Sequence, residues 1–272
     1  MTEPCVLTEF ADGIAHVRLH RPAKLNALDG AMFAQLVDAG ERLHARNDVR
    51  CIVLSGAGNS FCAGLDASLF AAMAGDRAAG IGAVTGNAPL QARTHGIANR
   101  AQRMATVWAD APVPVIAAVH GHCFGGGLQI ALGADIRIVA PDARMSAMEV
   151  RWGLVPDMAG MIFGRRLLRA DVFAELVYTG RQVSGEEAVR IGLATRVAAD
   201  PLAEATALAK DIAQRSPDAI RAAKRLLGQA RVCDDATLLL QESLEQERLI
   251  GSANQLEAVR ANIEKRAPAF RD

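Results

Sequence analysis

Apolar positions recur along this chain with two different periods. Near the N-terminus they alternate. Cys5–Phe10 and Gly13–His20, on either side of Ala11-Asp12-Gly13, therefore predict a β-hairpin. Residues 30–46 change to helical spacing, with Met32, Phe33, Leu36, Val37 and Leu43 on one face and Asp29 at the N-cap. Cys51–Ser55, Val113–Val119 and Asp135–Ala140 are short, apolar and rich in β-branched residues, as in strands buried on both sheet faces. Residues 67–110 are alanine-rich and broken by Gly75, Gly80, Gly82 and Gly86. They predict a helix, a mobile loop and a second helix over 92–109 carrying Arg93, Arg100 and Arg103. Residues 145–157 show no period and predict an irregular segment. Helices are predicted over 158–168, 171–178 and 185–192. From Pro201 onward the pattern is helical throughout, over 202–215, 217–229, 234–250 and 253–265. Strand–helix alternation followed by helices alone predicts an α/β core over 1–200 with parallel pairing, and a C-terminal helical region over 201–272.

One stretch stands out against this background: Gly121-His122-Cys123-Phe124-Gly125-Gly126-Gly127-Leu128-Gln129. It puts three consecutive glycines where a buried strand turns into an apolar helix. Glycine lets the backbone approach another molecule closely. The first N–H groups of a helix have no intrahelical partner and carry partial positive charge. Such a turn suits a developing anion. Close packing of the helix on the sheet is the alternative use of glycine at the same place.

Composition narrows the function classes. The chain has 272 residues, of which 51% are hydrophobic, ample for a large core. Its formal net charge of zero speaks against a nucleic-acid partner, which needs a basic face. Met1-Thr2-Glu3-Pro4 has no leader-like character, and no apolar run has membrane-spanning length, so no membrane association is expected. The five cysteines, Cys5, Cys51, Cys62, Cys123 and Cys233, are scattered without metal-site spacing. They predict free thiols, a cytoplasmic location and no metal. Gly56-x-Gly58 is followed by Phe61 where a dinucleotide fingerprint needs its third glycine, and no phosphate-loop Gly-Lys-Ser/Thr occurs, so neither cofactor class is expected.

Taken together in order, the motifs resemble the crotonase (enoyl-CoA hydratase/isomerase) superfamily over nearly the whole chain. They are Arg21-Pro22 with Asn26-Ala27-Leu28; Phe61-Cys62-Ala63-Gly64-Leu65-Asp66; Ala118 to Gly127; Ala134-Asp135-Ile136-Arg137; Glu149 with Gly153-Leu154-Val155-Pro156; and Glu264 to Phe270. The resemblance implies a spiral of ββα units with a C-terminal helical trimerisation region. It also implies an acyl-CoA thioester substrate, coenzyme A entering only as part of that substrate, and a homo-oligomer, trimer or dimer of trimers. It assigns an oxyanion hole to the backbone N–H groups of Leu65 and Gly126. Lys24, Ala63, Asp66 and Lys265 fall at coenzyme A-contacting positions. For Lys24 the plain alternative is a solvated lysine, and for Asp66 it is ordering of the loop.

Hydratases of the superfamily carry one carboxylate two residues beyond the triple glycine and a second twenty residues later. The second is Glu149; the first position is Gln129. An amide holds a water but neither accepts nor donates a proton as a carboxylate does. The alternative for Glu149 is a glutamate paired with Arg151. Asp157 lies eight residues after Glu149, the offset of a catalytic aspartate in dienoyl-CoA isomerases of the superfamily; an N-cap role before the next helix is equally open. The expectation is therefore double-bond isomerisation in preference to hydration. The alternatives are hydration by Glu149 alone, a non-catalytic thioester-binding member, and thioester hydrolysis or decarboxylation.

Overall fold

The computed structural model describes residues 4–272, and of Arg77, Ala79 and Ile81 the backbone alone. The expectation about Met1–Glu3 lies outside the described residues. The predicted hairpin forms as β1 (Val6–Ala11) and β2 (Ile14–Leu19), paired antiparallel with Ala11 opposite Ile14. α1 (Gly30–His44) follows, with the Asp29 side chain accepting from the Met32 N–H. Then come β3 (Cys51–Gly56), α2 (Ala67–Gly75), α3 (Arg77–Thr85) and α4 (Arg100–Ala109). The central part contains β4 (Val115–Val119), β5 (His122–Phe124), α5 (Gly126–Leu132), β6 (Ile136–Val139), β7 (Arg144–Ser146) and a 3₁₀ turn, Glu149–Trp152. The rest is α6 (Gly160–Leu167), α7 (Ala170–Thr179), β8 (Val183–Ser184), α8 (Gly185–Arg190), β9 (Arg196–Val197), α9 (Pro201–Ala213), α10 (Pro217–Gln229), α11 (Asp235–Leu249) and α12 (Ala253–Glu264).

The strands form two sheets, one ordered β1-β2-β3-β4-β6-β9 and parallel from β2 onward, the other ordered β5-β7-β8. The chain alternates between them. β4 leads into β5 and then α5, and β6 leads into β7 and then the 3₁₀ turn and α6. An isolated bridge between Cys62 and Cys123 extends the smaller sheet to the loop after β3. This repetition is the spiral of ββα units that the resemblance implies. The main core lies between the large sheet and α1, α4 and α5. On the sheet's other face Ala205, Ala209 and Ala213 of α9 pack on Val53, Ile116 and Ile138.

Three predictions are corrected. The helix expected over 92–109 begins at Arg100, because Asn99 closes a capping box with Gln102: the Asn99 side chain accepts from the Gln102 N–H, and Gln102 returns the bond to the Asn99 N–H. Of the glycines taken to mark a mobile loop, Gly75 ends α2, Gly80 and Gly82 lie inside α3, and Gly86 follows its last residue. A Cβ at Gly80 would stand 2.8 Å from the Met73 backbone, so the glycine permits close packing of α3 on α2. The segment 145–157 is not irregular throughout, since it supplies part of β7 and the 3₁₀ turn. The four C-terminal helices stand within two residues of their predicted ends.

Candidate active site

The strand-to-helix turn at 121–129 is built by two glycines with different tasks. Gly125 is the N-cap of α5 at φ 51°, ψ −120°, a conformation reserved for glycine. Gly127 is packing: a Cβ there would stand 2.6 Å from the Cys62 carbonyl oxygen. Gly126 is the first residue of α5, so its N–H lies at the open end of the helix. A second N–H is aimed by pairing. Leu28 donates to the Gly64 carbonyl at 2.8 Å and accepts from the Asp66 N–H at 2.9 Å. These bonds flank Leu65 in a parallel bridge, which turns the N–H of Leu65 itself to the opposite side. Neither the Leu65 nor the Gly126 N–H has a hydrogen-bond partner among the described residues. The two loops are joined by the bonds around the Cys62–Cys123 bridge, 2.9 and 3.0 Å long.

Both residues line a cavity of about 560 Å³ whose walls are mostly apolar, including Phe33, Phe70, Met73, Met148 and Trp152. Gln129, Glu149 and Asp157 supply its polar side chains. Gln129 is buried in α5. Its carbonyl oxygen accepts from the Met158 N–H at 2.8 Å and the Gly160 N–H at 2.9 Å. Those two bonds orient the amide, so its NH₂ donates to Glu149 Oε1 at 2.6 Å. Ala159, between the two donors, sits in the left-handed region at φ 68°. A non-glycine residue held there signals strain that its surroundings sustain.

Glu149 Oε2 is buried without a partner, and among the described residues Glu149 forms no ion pair, with Arg151 or otherwise. Burial pushes its carboxyl above the ordinary range. The Asp157 charge adds to this, against the lowering effect of backbone bonding and the Gln129 amide. Asp157 reaches solvent through the cleft, yet protein crowds it on most sides, and that desolvation raises its carboxyl too. Asp157 is not a helix cap. α6 starts at Gly160 behind Ala159, which removes the N-cap alternative.

The structure thus brings Ala63, Leu65, Gly126, Gln129, Glu149 and Asp157 to one cavity; Lys24, Asp66 and Lys265 do not line it. Lys24 is exposed beside Leu25, whose carbonyl accepts from the Ala63 N–H at 2.9 Å. Asp66 caps α2 through Ser68 and pairs with Arg21 at 3.1 Å. Lys265 is exposed at the C-cap of α12. Arg21 had no assigned role in the sequence. It ties both helix caps together, pairing also with Asp29 at 3.1 Å and donating to the Ala27 carbonyl. In the sequence only Asp29 reads as an N-cap; that Asp66 caps α2 and shares the same arginine is seen in the structure alone. Among the described residues no group of three or more His, Cys, Asp or Glu could hold a metal ion. No helix of the described residues is long and apolar enough to cross a membrane.

Residues 9–272 match the family described as Enoyl-CoA hydratase/isomerase. The chain belongs to this family. The delta(3,5)-delta(2,4)-dienoyl-CoA isomerase of Rattus norvegicus mitochondria is 34% identical, over 82% of this chain and 68% of its own length. The enoyl-CoA hydratase domain-containing protein 2 of Bos taurus mitochondria is 31% identical, over 98% and 87%. The solved structure of an enoyl-CoA hydratase from Bacillus anthracis superposes with a TM-score of 0.87 at 28% identity, over 98% of both chains. Members of the enoyl-CoA hydratase/isomerase family thus resemble this chain under both kinds of name, and the crotonase fold is common to them.

Proposed function

We propose that this member of the enoyl-CoA hydratase/isomerase family moves double bonds in an enoyl-CoA, with a 3,5-dienoyl-CoA as the preferred substrate and no cofactor beyond the coenzyme A of that substrate. One observation carries the reading: two carboxylates, Glu149 and Asp157, face one apolar cavity beside two unpartnered backbone N–H groups, while position 129 holds an amide. Like charges in a desolvated cleft favour a pair that shares one proton. Ionised Glu149, in contact range of Gly125, takes the proton from C2. The charge passes to the thioester oxygen between the Leu65 and Gly126 N–H groups. In a 3,5-dienoyl thioester it extends along the conjugated chain to C6, where protonated Asp157 returns a proton. Double bonds then stand at C2 and C4. Glu149 ends protonated and Asp157 ionised, and proton exchange restores the pair. Gln129 holds Glu149 in place and has no proton to trade. The unpartnered Glu149 Oε2 favours a working base over a purely binding member. Ala63 and Lys24 lie on the side of the cleft where coenzyme A would leave it, with Asp66 ordering that loop. Lys265 would take part only if the nucleotide reaches the C-terminal region.

The same proposal includes a trimer or dimer of trimers. Leu239, Leu240 and Ile250 around α11, and Val259 and Ile263 of α12, remain exposed within one chain. Sedimentation velocity at micromolar concentration tests it, and a monomer rejects it. The chemistry is tested by assaying 2-enoyl-, 3-enoyl- and 3,5-dienoyl-CoA side by side. Isomerisation of the dienoyl thioester is expected to dominate. Efficient hydration of 2-enoyl-CoA without isomerisation would reject the reading.

A further inference from the structure

Trp152 closes the 3₁₀ turn that Glu149 opens. In such a turn residues three apart eclipse one another, so the indole stands on the same face as the carboxylate, roughly 6 Å further along the axis. Its ring stacks on Phe70 of α2, with centroids 4.4 Å apart and planes inclined by 18°. Offset stacking of this kind is favourable beyond the area it buries. Both rings line the cavity that holds Glu149 and Asp157. Phe70 lies on the helix capped by Asp66, next to Leu65, so the contact joins the element carrying one N–H group to the element carrying the carboxylate. Trp152 is nevertheless 58% exposed, with the exposed Leu154 and Val155 after it. An aromatic pair with apolar cavity on one side and solvent on the other is a partition, not part of the packed core. The other tryptophan, Trp108, is fully buried in that core.

We propose that the stacked Phe70 and Trp152 rings form the end wall of the acyl pocket and set the longest unbranched acyl chain the site accepts. The inference rests on the acyl-CoA reading above and adds a substrate class to it. Trp152 belongs to the same turn as Glu149, so chain length is measured from the carbon that loses its proton. Each methylene laid into the apolar cavity tightens binding about fourfold until the chain meets the rings. Beyond that length, further carbons must part the stack or turn back into water.

The test is calorimetric titration of the full-length protein with saturated acyl-CoAs from butanoyl to hexadecanoyl, which bind without reacting. For wild type, affinity is expected to rise about fourfold per methylene and then stop rising at a definite length. In Trp152→Ala and in Phe70→Ala that stopping length moves to longer chains. Trp152→Phe keeps a ring to stack and keeps the wild-type stopping length. Circular dichroism melts confirm that each variant is folded, and the exposed Trp152 makes its variants the safer pair. An unchanged stopping length in Trp152→Ala overturns the proposal, as does a Trp152→Phe profile identical to that of Trp152→Ala. Wild type that binds all lengths equally overturns this inference alone. Wild type that binds no acyl-CoA overturns the proposed function with it.

Discussion

The two walls of the cavity are made of different material. One is backbone: the turns at Leu65 and Gly126, held by parallel bridges and by glycines whose missing side chains allow the loops to touch. The other is side chain: Gln129, Glu149 and Asp157, the first two held by a 2.6 Å hydrogen bond and by the Met158 and Gly160 N–H groups on either side of a strained alanine. A backbone wall tolerates wide variation in the side chains it carries, because the N–H of Leu65 is the same donor whatever follows its Cα. It fails when a Cβ or a ring intrudes. A side-chain wall is the reverse. Its geometry survives an isosteric exchange of amide for acid, but its proton inventory changes completely. In this architecture the backbone wall is suited to the chemistry common to a family, and the side-chain wall to the chemistry that distinguishes one member.

Glu149→Gln leaves both walls standing and removes the proposed base. Dienoyl-CoA turnover should fall on the order of 1,000-fold in kcat/KM, within the range for a lost acid–base group. Retained turnover would mean that the side-chain wall holds no base at this position. Gly126→Pro attacks the backbone wall. Proline fits the first position of a helix, but its Cβ would stand 2.8 Å from Leu28 Cδ1 and Met158 Sδ. The loss of one N–H is therefore read against Gly126→Ala, which brings the same Cβ and keeps the N–H. Relative to that variant the rate should fall on the order of 100-fold, with the far-ultraviolet circular dichroism unchanged. A fully active proline variant would show that this N–H does not face the reacting oxygen.

Asp157→Asn and Gln129→Glu sharpen the contrast within the side-chain wall. Asp157→Asn should abolish the dienoyl shift while α-proton exchange into deuterated solvent persists, a split readable by NMR. In wild type, Glu149 must be ionised to act as base. Its raised pKa therefore places the acid limb of the pH–rate profile above the ordinary carboxylate range. Gln129→Glu adds a carboxylate whose oxygens meet the Met158 and Gly160 N–H groups and remain ionised. That charge should lift the Glu149 pKa, and with it the acid limb, further upward, and 2-enoyl-CoA hydration should increase. The smallest effect belongs to Ala159→Gly. It relieves left-handed strain of about 1 kcal/mol but gives up a buried methyl worth about 0.8 kcal/mol. The melting temperature should move by less than about 3 °C, and any loss of rate then reports a loosened Gln129.

The sequence by itself determined more about the backbone wall than about the side-chain wall. An apolar β-branched run, three glycines and a second apolar run place a helix N-terminus after a strand, and α5 begins at Gly126 as that pattern requires. Glycine carries this information because few other residues fit a positive φ or a sub-3 Å backbone approach. Periodicity likewise located α9 to α12, where long amphipathic stretches repeat often enough to be read. Strands of two or three residues, such as β5, β7 and β8, are too short to show a period, so their pairing emerges only when the chain folds. Tertiary structure alone decided that Ala159 adopts a left-handed turn, that Met158 and Gly160 orient Gln129, that Asp157 is no cap, and that Phe70 meets Trp152. Each of these depends on contacts between elements far apart in the chain. Local residue preference points the other way at Ala159 and is silent on the rest, which is why the chemistry of the side-chain wall becomes legible only in three dimensions.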